Sequence, residues 1–219
     1  MPRPQLIAID GPVAVGKSTV GRLLARKLGY RFIDTGAMYR ALAWKALKLG
    51  VSLEDGEKLG ELARSTAMEF SGEGGLLMDG QEVSHELRHP NVESGVSLVS
   101  RIAEVRQAMV AQQQAMAQDG RVVMAGRDIG TVVLPRAGLK VYLEASAEER
   151  ARRRYQELGD QREGVDYASV LDDLKRRDAI DSQRATSPLR PAPDARIIDT
   201  EGLGAEEVVE RLCALVGGI

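Results

Sequence analysis

The stretch LIAIDGPVAVGKST, residues 6–19, decides how the rest of the chain is read. Residues 6–9 form an apolar run of strand length. Beyond the glycines, Val20, Leu23, Leu24 and Leu28 recur on one face of a helix. Between them Gly11, Pro12, Val13, Ala14, Val15, Gly16, Lys17, Ser18 and Thr19 fit G-x-x-x-x-G-K-[ST], in the required place after a strand and opening a helix. Glycines let such a loop wrap so that backbone N–H groups point at phosphate oxygens. The helix N-terminus adds its positive end, Lys17 reaches the β- and γ-phosphates, and Ser18 offers a hydroxyl to Mg2+. The expectation is a nucleoside triphosphate site.

Outward from this loop, apolar runs at 31–33, 122–125, 140–144 and 196–198 alternate with helical patterns. The latter cover 37–49, 55–65, 92–118, 147–157, 167–184 and 205–216. The alternation predicts an α/β fold with a doubly wound, five-stranded parallel sheet and helices on both faces. Residues 67–84 interrupt it with short β-like runs and turn signals at 72–75 (GEGG) and 79–80 (DG), which predicts a small antiparallel insert.

Composition bounds the function classes. At 219 residues with 43% apolar and 28% charged content, the chain can bury a sizeable core. A net charge of −2 argues against a dedicated nucleic-acid or anionic-membrane surface, and no apolar run approaches the roughly 18 residues of a bilayer span. Residues 1–5 show no basic start leading into a long apolar run, so no secretory leader is expected. The single cysteine, Cys213, excludes an internal disulfide and falls on the apolar face of the last helix as a packing residue. Trp44 reads as packing, and His85 and His89 as surface positions. The expectation is a cytoplasmic protein, working as a monomer, with neither nucleic-acid nor membrane partners.

A phosphate-binding loop alone leaves switches, motors and kinases open. A guanine-reading Asn-Lys-x-Asp segment cannot exist, because the only asparagine, Asn91, is followed by valine. Asp34, Glu144 and Asp199 each follow an apolar strand, where a carboxylate could hold the metal. Arginine supplies the stronger signal, with 23 arginines to 7 lysines and ten basic residues between 150 and 190. Transfer between two phosphates needs several cations, because two anions must be brought together. Arg150 and Arg154 share one helix face beside Gly159-Asp160 and are expected to act on the transferring group. Arg152 and Arg153 read as solvated, ion-paired positions.

Four segments together resemble bacterial cytidylate kinases: residues 11–19, 34–40 (DTGAMYR), 125–133 (AGRDIGTVV) and 177–184 (RDAIDSQR). The resemblance runs in order over nearly the whole chain. It implies a core of 1–35, 96–151 and 169–219, a monophosphate-binding lobe of about 36–95 that holds the antiparallel insert, and a mobile lid of about 152–168. It implies ATP as phosphoryl donor, CMP or dCMP as acceptor, and Mg2+ held by Ser18 and Asp34. Thr35, where the family usually has serine, keeps the hydroxyl. Tyr39 and Arg40 match, with Arg40 on the acceptor phosphate. Ser97, Arg106 and Asp128 fall where the family reads cytosine, with Ser100 an alternative to Ser97. Arg127, Arg177, Asp181 and Arg184 fall where it holds phosphate and sugar, and Arg127 and Arg184 join Lys17 as expected catalytic cations. Ala14 departs from the glycine that related loops commonly carry.

The chemistry agrees with these placements. An ionised aspartate accepts from the cytosine amino group, while arginine and serine donate to N3 and O2. Uracil would oppose acceptor to acceptor and donor to donor. Arg177 and Asp181, four apart on a helix, are expected to pair and address a sugar hydroxyl together. The competing readings are a kinase for another small acceptor (UMP, AMP or shikimate) and an ATP-driven switch. Only the switch would hydrolyse ATP without a second substrate.

Overall fold

The computed structural model describes residues 3–71, 75–159 and 166–217. In chain order the first elements are β1 (Leu6–Asp10), α1 (Lys17–Leu28), β2 (Arg31–Asp34), α2 (Thr35–Lys48) and α3 (Gly56–Ser65). Three short strands follow, β3 (Met68–Phe70), β4 (Leu76–Met78) and β5 (Gln81–Glu82), then α4 (Pro90–Ser100) and α5 (Ala103–Met116). The remainder comprises β6 (Val122–Gly126), a π-helical turn at Ile129–Val133, β7 (Leu139–Glu144), α6 (Ala147–Gly159), α7 (Tyr167–Gln183), β8 (Arg196–Asp199) and α8 (Ala205–Gly217).

Among the described residues, the strands at both ends of the chain form a five-stranded parallel sheet in the order β2-β6-β1-β7-β8, as the alternation predicts. β1 lies at its centre, which explains its unbroken apolar run: both faces are covered. Ile7 and Ile9 pack with α1 and α8, while Ala8 meets Met124 and Ile129 on the other face. The residues Leu24 and Leu212 close the first layer, and Cys213 packs beside them. β3, β4 and β5 form the small antiparallel sheet. Lys45 on α2 fastens that insert, reaching Thr66 Oγ1 at 2.8 Å and Asp79 Oδ2 at 2.6 Å. The turn expected at 72–75 lies mostly outside the described residues, as do 160–165 of the expected lid, with Asp160 and Arg162.

The helix expected over 92–118 is two helices. The chain breaks at Arg101 and Ile102, where neither glycine nor proline marks a boundary. Tertiary contacts span the break: Arg106 folds back to the Ser100 carbonyl at 3.3 Å and carries its guanidinium to Asp128. The apolar core of the lobe, centred on Met38, Leu42, Leu59 and Met109, runs from α2 through α5 and so continues past residue 95. Trp44 packs against this core, and both histidines are exposed. No helix among the described residues is long and apolar enough to cross a membrane.

Candidate active site

A cleft of about 630 Å3 opens at the carboxyl ends of β1, β2 and β6, between the lobe and the helices α6 and α7. Ligands bind at this edge of open α/β sheets because loops and helix N-termini converge there. The loop from Gly11 to Gly16 forms one wall. A Cβ at Gly11 would collide with the Leu143 carbonyl, and Gly16 sits at φ 93°, which leaves the first N–H groups of α1 uncapped and turned to the cleft. Residues Val13 to Thr19 line the space, whereas Gly11 and Pro12 stand behind it. Ala14 has φ 58°, a left-handed conformation that its methyl group disfavours.

Lys17 is buried and donates to the Pro12 carbonyl at 2.5 Å. Burial and the nearby charge of Arg127 hold its ammonium well below the usual range, so the site favours an incoming anion. Ser18 donates to Asp34 Oδ2 at 2.9 Å. The Asp34 carboxylate also caps α2 through the Ala37 N–H and lies 3.3 Å from Arg40. Burial opposes its charge, but Arg40, the Ser18 hydroxyl, the Ala37 N–H and Lys17 hold its carboxyl below the usual carboxylate range. Ser18 and Asp34 are adjacent oxygen donors, a set that fits Mg2+. Asp34 is thereby distinguished from Glu144 and Asp199, which do not line the cleft.

The opposite end is built around Asp128, which is 5% exposed. Arg106 donates to its Oδ2, and Arg184 stands 3.7 Å from its Oδ1. The Arg106 guanidinium also lies over the Tyr39 ring, whose phenol burial pushes up to about 12. Ser97 and Ser100 both face the cleft. Ser100 turns its hydroxyl to the Ser97 carbonyl at 3.2 Å, which leaves Ser97 the freer donor. Thr35 spends its proton on the Ala125 carbonyl at 2.9 Å and fixes the start of α2 against β6.

Between the two ends stand Arg127, Arg154 and Arg177. The pairing expected between Arg177 and Asp181 does not form. Arg177 approaches Asp173 at 3.8 Å, and Asp181 instead accepts from Arg127 Nε at 2.8 Å, with Arg184 at 3.9 Å. Arg177 Nε is buried without a partner. Burial and the charge of Arg127 lower its affinity for a proton. Like charges crowded this way favour a polyanion between them. Arg154 is held by Glu93 of α4 at 2.7 Å. Arg150 does not join them. It points behind the loop, donating to the Val13 carbonyl at 3.0 Å and pairing with Asp178 at 2.7 Å, while Asp178 accepts the Val13 N–H at 3.2 Å. Arg152 and Arg153 pair with Glu149, as the solvated reading expects, although Arg153 also reaches Thr200.

Sequence reasoning missed Asp178, Glu93 and Asp10. Asp178 lies inside the 177–184 motif and Asp10 ends the central strand just before the glycine-rich loop, so both left a trace; Glu93 left none.

A glycine-rich loop opening a helix, facing a second pocket across a belt of arginines, is the site of a kinase that phosphorylates a small acceptor. The comparisons make this specific. Residues 7–217 match the Cytidylate kinase family. The chain is 52% identical to "Cytidylate kinase" of Caldanaerobacter subterraneus subsp. tengcongensis, over 94% of this chain and 92% of that one. With "Cytidylate kinase" of Pelotomaculum thermopropionicum it shares 50% identity, over 96% and 95%. A gluconokinase from Sinorhizobium meliloti shows the same fold with a TM-score of 0.54 at 16% identity, over 99% and 94%. The chain belongs to the cytidylate kinase family and is accordingly a nucleoside monophosphate kinase.

Proposed function

We propose that this kinase transfers the γ-phosphoryl group of ATP to the phosphate of CMP or dCMP, yielding ADP and CDP or dCDP. The buried Asp128 carboxylate between Arg106 and Arg184 carries the reading. Asp128 accepts from the cytosine amino group, and Arg106 and Ser97 donate to N3 and O2. Uracil would leave the buried carboxylate facing O4, at a cost of about 1–3 kcal/mol for an unsatisfied buried group.

The loop N–H groups of Val13 to Thr19 and the Lys17 ammonium hold the donor's phosphates. Arg127, Arg154 and Arg177 gather charge on the transferring group, and Arg40 holds the acceptor phosphate. That phosphate is already an anion, so no covalent nucleophile and no dedicated base are needed; positioning and charge supply the catalysis. Ser18 and Asp34 would hold Mg2+, which neutralises phosphate charge when bound. All of these groups come from one chain, which supports a monomer as the working unit. A coupled ADP-release assay across CMP, dCMP, UMP, AMP and GMP tests the proposal. CMP and dCMP should be phosphorylated with kcat/KM at least about tenfold above the others. ADP release without any acceptor would instead indicate a switch.

A further inference from the structure

Asp10, the last residue of β1, is 3% exposed and does not line the cleft. Its Oδ1 accepts the Ile129 N–H at 2.8 Å and its Oδ2 the Gly130 N–H at 2.7 Å. These two amides open the π-helical turn Ile129–Val133 immediately after Arg127 and Asp128. Later amides of the turn fold back within it: Val132 reaches the Asp128 carbonyl and Leu134 the Ile129 carbonyl. The leading amides have no such partner inside the turn, as at any helix start. A single side chain, 119 positions away in sequence, therefore caps the turn and ties it to the residue adjoining Gly11. The tie is costly, because burial pushes the carboxyl up to about 6 even though the two N–H groups and Lys17 favour the charge.

We propose that Asp10 is a positioning residue: by gripping both amides it fixes Arg127 and Asp128 in register with the phosphate-binding loop. The inference rests on the base-reading role proposed above for Asp128. Small displacements at such a site are expensive, since a shift of about 1 Å can cost on the order of 100-fold in rate. The loop itself has a separate support in Arg150 and Asp178, so loosening the turn should leave ATP binding intact.

Two variants test this. Asp10→Asn keeps the shape but sets an amide N–H against one of the two backbone donors. Gly130→Ala leaves Asp10 in place and sets a methyl 3.3 Å from its Oδ2 and 3.2 Å from the Lys140 side chain, pressing the grip open at a glycine with no left-handed backbone. In folded Asp10→Asn, kcat/KM for CMP should fall about 10- to 100-fold and the CMP:UMP preference should shrink at least about fivefold, with ATP affinity within about twofold. Gly130→Ala should move both in the same direction by a smaller factor, and it decides alone if Asp10→Asn does not fold. Asp128→Asn is measured in parallel. If it relaxes the CMP:UMP preference while the variants of the grip keep both preference and kcat, the positioning role is overturned. If Asp128→Asn itself leaves the preference intact, the base-reading role has failed instead. The grip is then judged on kcat alone, and an unchanged kcat overturns it.

Discussion

Glu93 and Arg154 meet across the cleft, both carboxylate oxygens lying within 2.7–2.8 Å of one guanidinium nitrogen. Glu93 lies on α4 and Arg154 on α6, so the pair joins the two walls of the cleft across a cation proposed above to act on phosphate. A phosphate must displace that carboxylate to reach Arg154. Glu93→Gln should therefore raise kcat, by about threefold, on the scale of a partly exposed ion pair, with ATP affinity unchanged. Arg154→Met should lower kcat by about 100-fold while ATP affinity changes little, as expected for a cation that acts on developing charge. Steady-state kinetics with equilibrium ATP binding check both. An unchanged kcat in Arg154→Met, with weaker ATP binding, would make Arg154 a ground-state contact.

Arg150 behaves differently because it faces away from the ligands. Arg150→Ala leaves Asp178 and the Val13 carbonyl without their partner, and breaking such a buried pair costs on the order of 3 kcal/mol. Urea unfolding should report that loss, and ATP binding should weaken as Val13 loses its support. A normal stability with reduced kcat would instead return Arg150 to the chemistry.

Asp181 anchors Arg127 and not Arg177. Asp181→Ala should accordingly lower kcat/KM for CMP and dCMP by the same factor, about 10- to 100-fold, because both acceptors lose the same placed arginine. A loss confined to CMP would assign the carboxylate to the 2′-hydroxyl of the sugar.

Ala14 holds a left-handed conformation in the loop. Relief of its strain is worth about 1–2 kcal/mol, and the added freedom of the unfolded glycine chain takes back part of it. Ala14→Gly should stabilise the fold by roughly 0.5–1 kcal/mol, readable as a higher Tm with the kinetics preserved. A lower Tm would show that the surrounding loop already absorbs the strain.

Asp10 predicts a pH dependence of stability. Its carboxyl titrates at about 6 in the folded chain against an ordinary 3.8. Between those values the folded chain keeps a proton that the unfolded chain has released, so this group's contribution to stability falls as pH rises from about 4 to about 6. Two pKa units correspond to about 3 kcal/mol. Asp10→Asn has no proton to lose, so its unfolding free energy should gain about that much relative to the parent between pH 4 and pH 7. Parallel urea titrations at the two pH values measure it, and a constant difference between the two proteins would place Asp10 in a more polar setting.

Much of this molecule was legible from order along the chain. Strand, glycine turn and helix are local structures, set by apolar periodicity and by where backbone N–H groups need glycine, so residues 6–28 announced both the sheet and the phosphate end of the cleft. The insert was equally plain, because its turns and alternating runs are neighbours in sequence. The resemblance offered Asp128, Arg106 and Ser97 together as cytosine-reading groups, and their chemistry agrees with that placement. What lay beyond sequence were pairings between residues far apart in the chain, since the partner of a charge depends on which elements the core brings together. Helical spacing offered Asp181 to Arg177, but in the fold it meets Arg127, just beyond β6, instead. Helix-face spacing likewise grouped Arg150 with Arg154, yet one turn of α6 faces the loop's back and the next faces the cleft. Position 101 carries no breaker, and the division of α4 from α5 is marked by a contact that sequence does not show, Arg106 reaching back to the Ser100 carbonyl and across to Asp128. The amino-acid sequence determined most of the elements and the phosphate loop, because those follow from local geometry, and its motifs carried the resemblance that pointed to the family of reaction. The tertiary structure alone decided which arginine meets which carboxylate, because burial and distance across the cleft, and not spacing along the chain, set the strength of those charges.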